Sequence, residues 1–122
     1  MANIRMGSVS LDCADTDSLA TFWAGLLGGE IVWASEEFVA VKIPSMWISA
    51  VKVEGYQAPS WPEGDIAKQI HLDLAVDDLA AGVAEAKRLG AIQADFQPAP
   101  DRYVVLLDPA GHPFCLTTQI PD

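Results

Sequence analysis

The chain has 122 residues, of which 51% are hydrophobic, and its formal net charge is −10. This length and composition suffice for one compact domain with a buried core, and they exclude a disordered chain. The acidic balance and the scattered single lysines and arginines argue against nucleic acid and membrane surfaces as partners, because both are negatively charged.

The beginning of the chain favours a cytoplasmic location. The stretch MANIRMGSVSLD contains no apolar run of the kind found in a secretory signal, and no stretch of the sequence is apolar for long enough to span a bilayer. We therefore expect a cytoplasmic protein in which Cys13 and Cys115 are reduced thiols.

The first half of the chain predicts a strand, a helix and three further strands. Residues 7–15 alternate between polar and apolar side chains, which is typical of a strand with one buried face, and Asp15 is placed to cap a helix. The helix has one apolar stripe and ends at Gly28 and Gly29, because glycine tolerates the left-handed conformation. Strands are predicted around residues 30–34, 38–43 and 46–53. The apolar stripe of the predicted helix consists of Leu19, Phe22, Trp23, Leu26 and Leu27.

The same order restarts after a segment rich in proline, glycine and acidic residues, which predicts a linker. IHLDLAV alternates again, Asp77 or Asp78 caps a second helix, and Gly90 closes it. Strands are predicted near residues 91–96, 102–108 and 114–118, with the turn DPAGHP between the last two.

The chain is therefore predicted to be a single domain with an internal repeat. Three residues of the first strand and helix recur 63 positions later: Ser8, Leu11 and Asp15 correspond to His71, Leu74 and Asp78. From this spacing we place module one at about residues 4–55, a linker at about 56–67 and module two at about 68–119.

Both halves resemble the vicinal oxygen chelate superfamily, which includes glyoxalases, extradiol dioxygenases, epimerases and bleomycin-binding proteins. The closing segment DPAGHPFCL is similar to the DP-x-G-x-x-x-E segment of that superfamily. The resemblance spans nearly the whole chain and is strongest to a glyoxalase-like subgroup of bacterial proteins. The strand–helix motif is matched by Ser8, Asp15, Phe22, Trp23, Leu27 and Gly28 in the first copy, and by His71, Asp78, Leu89 and Gly90 in the second.

The resemblance implies an α+β fold in which two βαβββ modules form curved mixed sheets around a shared cavity. It also implies a homodimer. Strand alternation then assigns the faces, because polar and apolar residues on one strand need different surroundings. The side chains expected beneath the helices are Leu11, Leu72, Leu74 and Val76, and those expected to face the cavity are Ser8, Ser10, Asp12, His71 and Asp73.

Metal-using members of the superfamily take one ligand from the first and last strand of each module. By this resemblance His71 matches a ligand position, Cys115 falls where the family has a glutamate, and Ser8 falls where it has His, Gln or Glu. The fourth ligand would come from residues 46–53, where Trp47 or Ser49 is expected to face inward. Neither of these is a good metal ligand.

A carboxylate from Asp12 or Asp73 would add a donor, but two residues along a strand span about 6.6 Å, which places both away from the family ligand positions. Only His71 and Cys115 then remain as donors. We therefore predict that the protein has no metal cofactor, the alternative being one divalent ion at His71.

Other interpretations of these residues stay open. A Cys–His dyad of Cys115 and His71 would need an exposed thiol and an oxyanion donor, and nothing in the sequence supplies the second. The favoured interpretation is that Cys115 is a small buried hydrophobe and His71 lines a pocket, with His112 exposed in its turn. Trp61 either docks the linker onto its own module or marks a binding surface.

The sequence thus predicts a glyoxalase-like domain that binds or sequesters an apolar or aromatic small molecule. In this hypothesis His71 exchanges hydrogen bonds with the ligand, the carboxylates orient its polar groups, and Trp47 stacks on it. One alternative is a lyase, isomerase or dioxygenase that uses a divalent metal, and another is a metal-free enzyme with His71 and Asp73 as acid and base. The predicted ligand-binding residues are Ser8, Ser10, Asp12, Trp47, Ser49, His71, Asp73 and Cys115.

Overall fold

A computed structural model describes residues 2–121 of the chain. In this part the chain forms two helices and eight strands, and it divides into two compact units with the boundary between Tyr56 and Gln57. Neither described helix has the length and apolar character that crossing a membrane requires.

The first unit contains one helix and a mixed sheet of four strands. Its elements are β1 (Ser8–Cys13), α1 (Thr16–Leu27), β2 (Glu30–Ala34), β3 (Phe38–Lys42) and β4 (Trp47–Lys52). The strand order is β1-β4-β3-β2, in which β1 runs parallel to β4 and the other neighbours are antiparallel.

Helix α1 begins and ends where the sequence predicts. The Asp15 carboxylate accepts hydrogen bonds from the backbone N–H groups of Asp17 and Ser18, at 3.1 and 3.2 Å. Gly28 ends the helix in the left-handed region with φ 64°. The apolar stripe packs on the sheet through Phe22 and Trp23, whose rings meet edge to face with centroids 5.2 Å apart.

The second unit repeats this architecture. Its elements are β5 (Leu72–Ala75), α2 (Leu79–Leu89), β6 (Ile92–Gln93), β7 (Tyr103–Leu107) and β8 (Pro113–Thr117), with the strand order β5-β8-β7-β6. Strand β5 is parallel to β8, as β1 is to β4. The predicted α+β class and the strand–helix–strand–strand–strand repeat are confirmed.

The two helices pack on their own sheets through side chains of different size. Shifted by 63 positions, Leu19 and Trp23 of α1 correspond to Gly82 and Ala86 of α2. A Cβ atom on Gly82 would lie 3.1 Å from a side-chain carbon of Val76 and 3.2 Å from one of Leu116, and Ala86 is completely buried. Small residues therefore fill the contact between α2 and its sheet, whereas large ones fill the contact between α1 and its sheet.

Strand β6 is shorter than the prediction over residues 91–96. Its ladder with β7 covers two residue pairs, after which the side-chain amide of Gln97 takes over. Gln97 donates to the carbonyls of Ala94 and Val105 and accepts from the Val105 N–H, each at 2.8 Å. The Ala94 N–H also donates to the Val105 carbonyl at 3.1 Å, so a side chain that imitates a peptide group joins the last main-chain bond and then extends the pairing. Periodicity does not reveal such a substitution of a side chain for a strand.

Candidate functional site

A pocket of about 200 Å³ opens on one face of the second unit's sheet. Strand β8 supplies the centre of this face, because alternate residues of a strand point to the same side. Register places Asp73 of β5 opposite Cys115, and Tyr103 of β7 opposite Thr117. The lining residues are Trp61, Lys68, His71, Asp73, Tyr103, Pro113, Cys115 and Thr117.

Three potential metal-ligating side chains converge at the polar end of this pocket. The Nε2 atom of His71 lies 3.1 Å from Oδ1 of Asp73, and each of these residues has a donor atom within 4.8 Å of the others and of the Cys115 thiol. Cys115 is buried, whereas the side chains of His71 and Asp73 are 35% and 52% exposed. The cluster therefore combines a nitrogen, an oxygen and a sulfur donor at a surface that solvent reaches.

The position of Asp73 corrects the sequence analysis, which counted only two converging donors. That expectation compared backbone spacing along a strand. His71 immediately precedes β5 and Asp73 is its second residue, so both side chains project from the same face and reach each other across 3.1 Å. Three donors are in place where two were predicted, and the prediction of no metal cofactor loses its main support.

The Cys115 thiol is held in its protonated form. Burial raises its pKa to about 11, the charge of Asp73 and a hydrogen bond to it act in the same direction, and Lys68 opposes them. A nucleophilic thiol needs the opposite shift, so this environment argues against the Cys–His dyad. His71 has Asp73 as its partner, which also differs from that arrangement.

An aromatic wall and one cation line another part of the pocket. The indole N–H of Trp61 donates to the carbonyl of Phe96 at 3.4 Å, which docks this part of the predicted linker onto its own unit. Lys68 holds its ammonium group 5.2 Å from the centroid of the Trp61 ring, a cation–π arrangement. Trp61 and Tyr103 pack against the small core cluster that contains Cys115.

That core cluster is braced by Gln97, whose three hydrogen bonds end on Ala94 and Val105. Ala94, Val105 and Cys115 are its buried members. The amide therefore fixes the backbone beneath the thiol, and Gln97 is a positioning residue for the pocket.

The five site residues predicted in the first unit share one face of its sheet. The sequence did not settle which side chains of β4 face the same way as those of β1. The pairing of β1 with β4 settles it: Trp47 and Ser49 both lie on the side of the predicted β1 residues. Ser8 and Ser49 approach to 3.5 Å between their hydroxyl oxygens, and Ser49 is buried. The residues on this face are Ser8, Ser10, Asp12, Trp47 and Ser49.

Sequence reasoning missed several lining residues of the pocket. Tyr103 and Thr117 were detectable in principle, because they continue the alternation of β7 and β8 on the Cys115 face. Trp61 comes from the linker and Lys68 from the irregular residues before β5, where no periodicity exists to place them. His112 was predicted to be exposed but is half-buried, with its carbonyl accepting from the Asp108 N–H at 3.0 Å.

Comparison with known families and structures gives a consistent result. A model of the glyoxalase-like domain matches residues 8–117. No curated protein matches the chain.

Several solved structures share the fold at low sequence identity. The fosfomycin resistance protein FosX from Mesorhizobium loti is 18% identical with a TM-score of 0.70, over 98% of this chain and 94% of that one. A mutant of FosX from Listeria monocytogenes, complexed with Mn(II) and 1S,2S-dihydroxypropylphosphonic acid, is 16% identical with a TM-score of 0.71, over 98% and 93%. A glyoxalase/bleomycin resistance protein/dioxygenase family enzyme from Burkholderia phytofirmans is 19% identical with a TM-score of 0.69, over 90% and 94%.

Proposed function

The chain belongs to the glyoxalase-like domain family, and from this premise we propose that it binds an aromatic or other apolar small molecule in the pocket of its second unit. The observation that carries the proposal is the composition of that pocket, which joins an aromatic wall to a polar end. Concave sites with apolar walls and a few convergent polar groups are the usual form of small-molecule sites.

Each part of the pocket has a distinct role in this proposal. Trp61 and Tyr103 contact the apolar body of the ligand, and stacking on Trp61 adds orientation to burial. His71 and Asp73 exchange hydrogen bonds with a polar substituent. Lys68 favours a ligand that carries a negative charge, since it supplies a cation within a strongly acidic chain.

The volume of the pocket limits the ligand. About 200 Å³ lies below the range of about 300–1,000 Å³ that holds drug-sized compounds. A single aromatic ring with one polar or acidic substituent is therefore the class of compound that the pocket favours. The five residues on the sheet face of the first unit remain proposed ligand contacts, supported by their shared face and by the family resemblance.

A thermal-shift screen with monocyclic aromatic acids and phenols tests the proposal. We expect at least one such compound to raise the melting temperature, because a ligand that binds only the folded state stabilises it. Trp61→Ala should weaken that binding by about tenfold or more, as loss of an aromatic anchor does in other interfaces. Trp33→Ala is the matched control, since Trp33 is 61% exposed in the first unit.

Two outcomes would contradict the proposal. One is a screen in which no aromatic acid or phenol stabilises the chain. The other is equal affinity of the Trp61→Ala and Trp33→Ala variants for a compound that does bind.

A second candidate function is a divalent-metal-dependent lyase, isomerase or dioxygenase, and the convergence of His71, Asp73 and Cys115 favours it. These three residues would hold the ion, which would supply Lewis-acid polarisation of a ligand oxygen. The His71–Asp73 pair can in addition exchange a proton with a ligand, which is the catalytic role predicted for both residues. Elemental analysis of protein purified without chelator tests this candidate, and a stoichiometric divalent metal is the supporting result.

A further inference from the structure

We infer that His71, Asp73 and Cys115 form a site for one thiophilic divalent cation of the zinc class, built from side chains of the second unit alone. The inference concerns the same pocket as the proposed function and rests on its metal-dependent form. It specifies the kind of ion and assigns Asp73 as a ligand.

The separations of the donors suit such an ion. Zinc–ligand bonds of about 2.0–2.3 Å place neighbouring donors about 3.3–3.6 Å apart in a tetrahedral site. The His71 and Asp73 donors lie 3.1 Å apart, and all three donors lie within 4.8 Å of one another. The most distant donor atoms would have to approach by about 1 Å to reach tetrahedral spacing. Rotation of the His71 and Asp73 side chains allows this approach, because both are substantially exposed.

The chemistry of the donors selects the ion. A bound ion would displace the proton that the Cys115 thiol otherwise keeps, because cysteine ligates metals as the thiolate. Thiolate sulfur and imidazole nitrogen favour Zn(II) and Co(II), whereas Mg(II) and Mn(II) prefer sites made of oxygen. Cys115 decides this preference because it is the one sulfur donor in the cluster. Register holds it directly opposite Asp73 on the neighbouring strand, so the two donors are fixed relative to each other by the β5–β8 pairing.

The surroundings leave the ion accessible to a ligand. The three donors line the wall of an open pocket, so a cation reaches them without unfolding of the unit. Three protein ligands also leave a coordination position vacant, which is the arrangement of zinc sites that bind a further molecule. Trp61 and Tyr103 line the same pocket as the three donors, so a molecule bound to the ion would contact these aromatic side chains.

Cobalt titration of the full chain, stripped of metal by a chelator and dialysed, tests the site directly. We expect one equivalent of Co(II) to produce a thiolate-to-cobalt charge-transfer absorption in the near ultraviolet. Zn(II) should displace the cobalt, and Mn(II) should fail to do so at equal concentration. Cys115→Ser should remove the charge-transfer band, and His71→Ala should weaken cobalt binding by about 100-fold or more.

The chain offers a matched control for each donor. Cys13→Ser changes the other cysteine, which is buried in the first unit, and His112→Ala changes the other histidine. Asp77→Asn removes an exposed carboxylate close to Asp73 in sequence. All three controls should bind cobalt as the parent chain does, and circular dichroism should show that every variant is folded.

The inference is overturned if Co(II) gives no charge-transfer band, if the band survives in a folded Cys115→Ser variant, or if Mn(II) displaces Co(II) as readily as Zn(II) does. Should Cys115→Ser not fold, a Cys115→Ala variant replaces it, and His71→Ala at its exposed position still decides the outcome. Failure here leaves the small-molecule proposal untouched, because that proposal is read from the thermal shift produced by aromatic acids and from Trp61→Ala.

Discussion

The two units of the chain share an architecture and differ in chemistry. Each has a helix on a four-stranded sheet of the same strand order, and each pairs its first strand in parallel with its last. Three equivalent positions on one sheet face carry different side chains: Ser8, Ser10 and Ser49 in the first unit correspond to His71, Asp73 and Cys115 in the second. The same backbone arrangement thus presents neutral hydroxyl groups in the first unit and three potential metal ligands in the second. A shared fold therefore does not decide the function of either unit, which depends on the side chains of its site.

The largest expected difference between the units lies in how their helices are anchored. Trp23→Ala should lower the free energy of unfolding by about 3–5 kcal/mol, because it removes a side chain that is 1% exposed and leaves a cavity. The equivalent residue in α2 is already alanine, and Ala86→Trp should destabilise the chain by overpacking. Urea denaturation of both variants measures this.

The control for these variants is Trp33→Ala, which changes a tryptophan that is 61% exposed and should alter stability by about 0.5 kcal/mol or less. A neutral Ala86→Trp variant would contradict the tight packing around Ala86, which is completely buried.

The next prediction concerns the thiol of the second unit. With a pKa of about 11 against an ordinary 9.0, Cys115 should present about 100-fold less thiolate at neutral pH than an ordinary cysteine. Labelling by iodoacetamide in a Cys13→Ser background should therefore be slow at pH 8 and rise toward pH 11. Rapid labelling that saturates below pH 8 would show an activated nucleophile instead.

The same shift affects stability. The unfolded chain loses the thiol proton near 9.0 while the folded chain keeps it to about pH 11. The contribution of Cys115 is therefore complete below pH 9 and is lost as the pH rises through 9–11. A Cys115→Ala variant should lack this loss, and the difference between the two denaturation profiles measures it.

The hydrogen bonds of Gln97 beneath the pocket should contribute less to the free energy of unfolding than Trp23 of α1 does. Gln97→Ala should lower the free energy of unfolding by about 1–3 kcal/mol, because it leaves the N–H and carbonyl of Val105 without their side-chain partner. Thermal denaturation compares it with Gln57→Ala, a change at an exposed glutamine. Equal stability of the two variants would remove the positioning role of Gln97.

The smallest expected effects are those of the helix caps. Asp15 accepts two backbone hydrogen bonds and Asp78 accepts one. Each alanine variant should lose about 0.5–2 kcal/mol, with Asp15→Ala the larger loss. Urea denaturation that ranks them in the reverse order would contradict this reading of the caps.

The fold could be predicted from the sequence to a large extent, because it depends on local signals. Alternation marked β1 and β5, carboxylates marked the helix starts, and Gly28 and Gly90 marked the helix ends. The hydrophobic pattern did not predict that β6 ends after two residues. The strand ends there because the side-chain amide of Gln97 makes the next hydrogen bonds to β7.

The site could be predicted only in part. The family resemblance matched His71 and Cys115 to ligand positions of the superfamily, and alternation placed Asp73 on the same face as His71. Distance along a strand placed Asp73 away from the family ligand positions. It did not reveal that the Asp73 carboxylate reaches to 3.1 Å from the His71 imidazole, because side-chain reach is not encoded in backbone spacing. Trp61 was placed only as a choice between docking and binding, since its position depends on contacts far away along the chain.

The most direct test of the account is to give the second unit the three serines of the first. Isothermal titration with Zn(II) compares the parent chain with a His71→Ser, Asp73→Ser, Cys115→Ser variant whose fold is verified by circular dichroism. We predict one bound equivalent for the parent chain and none for the variant. Absence of zinc binding to the parent chain, or equal binding to both, would contradict the claim that these three donors set the second unit apart.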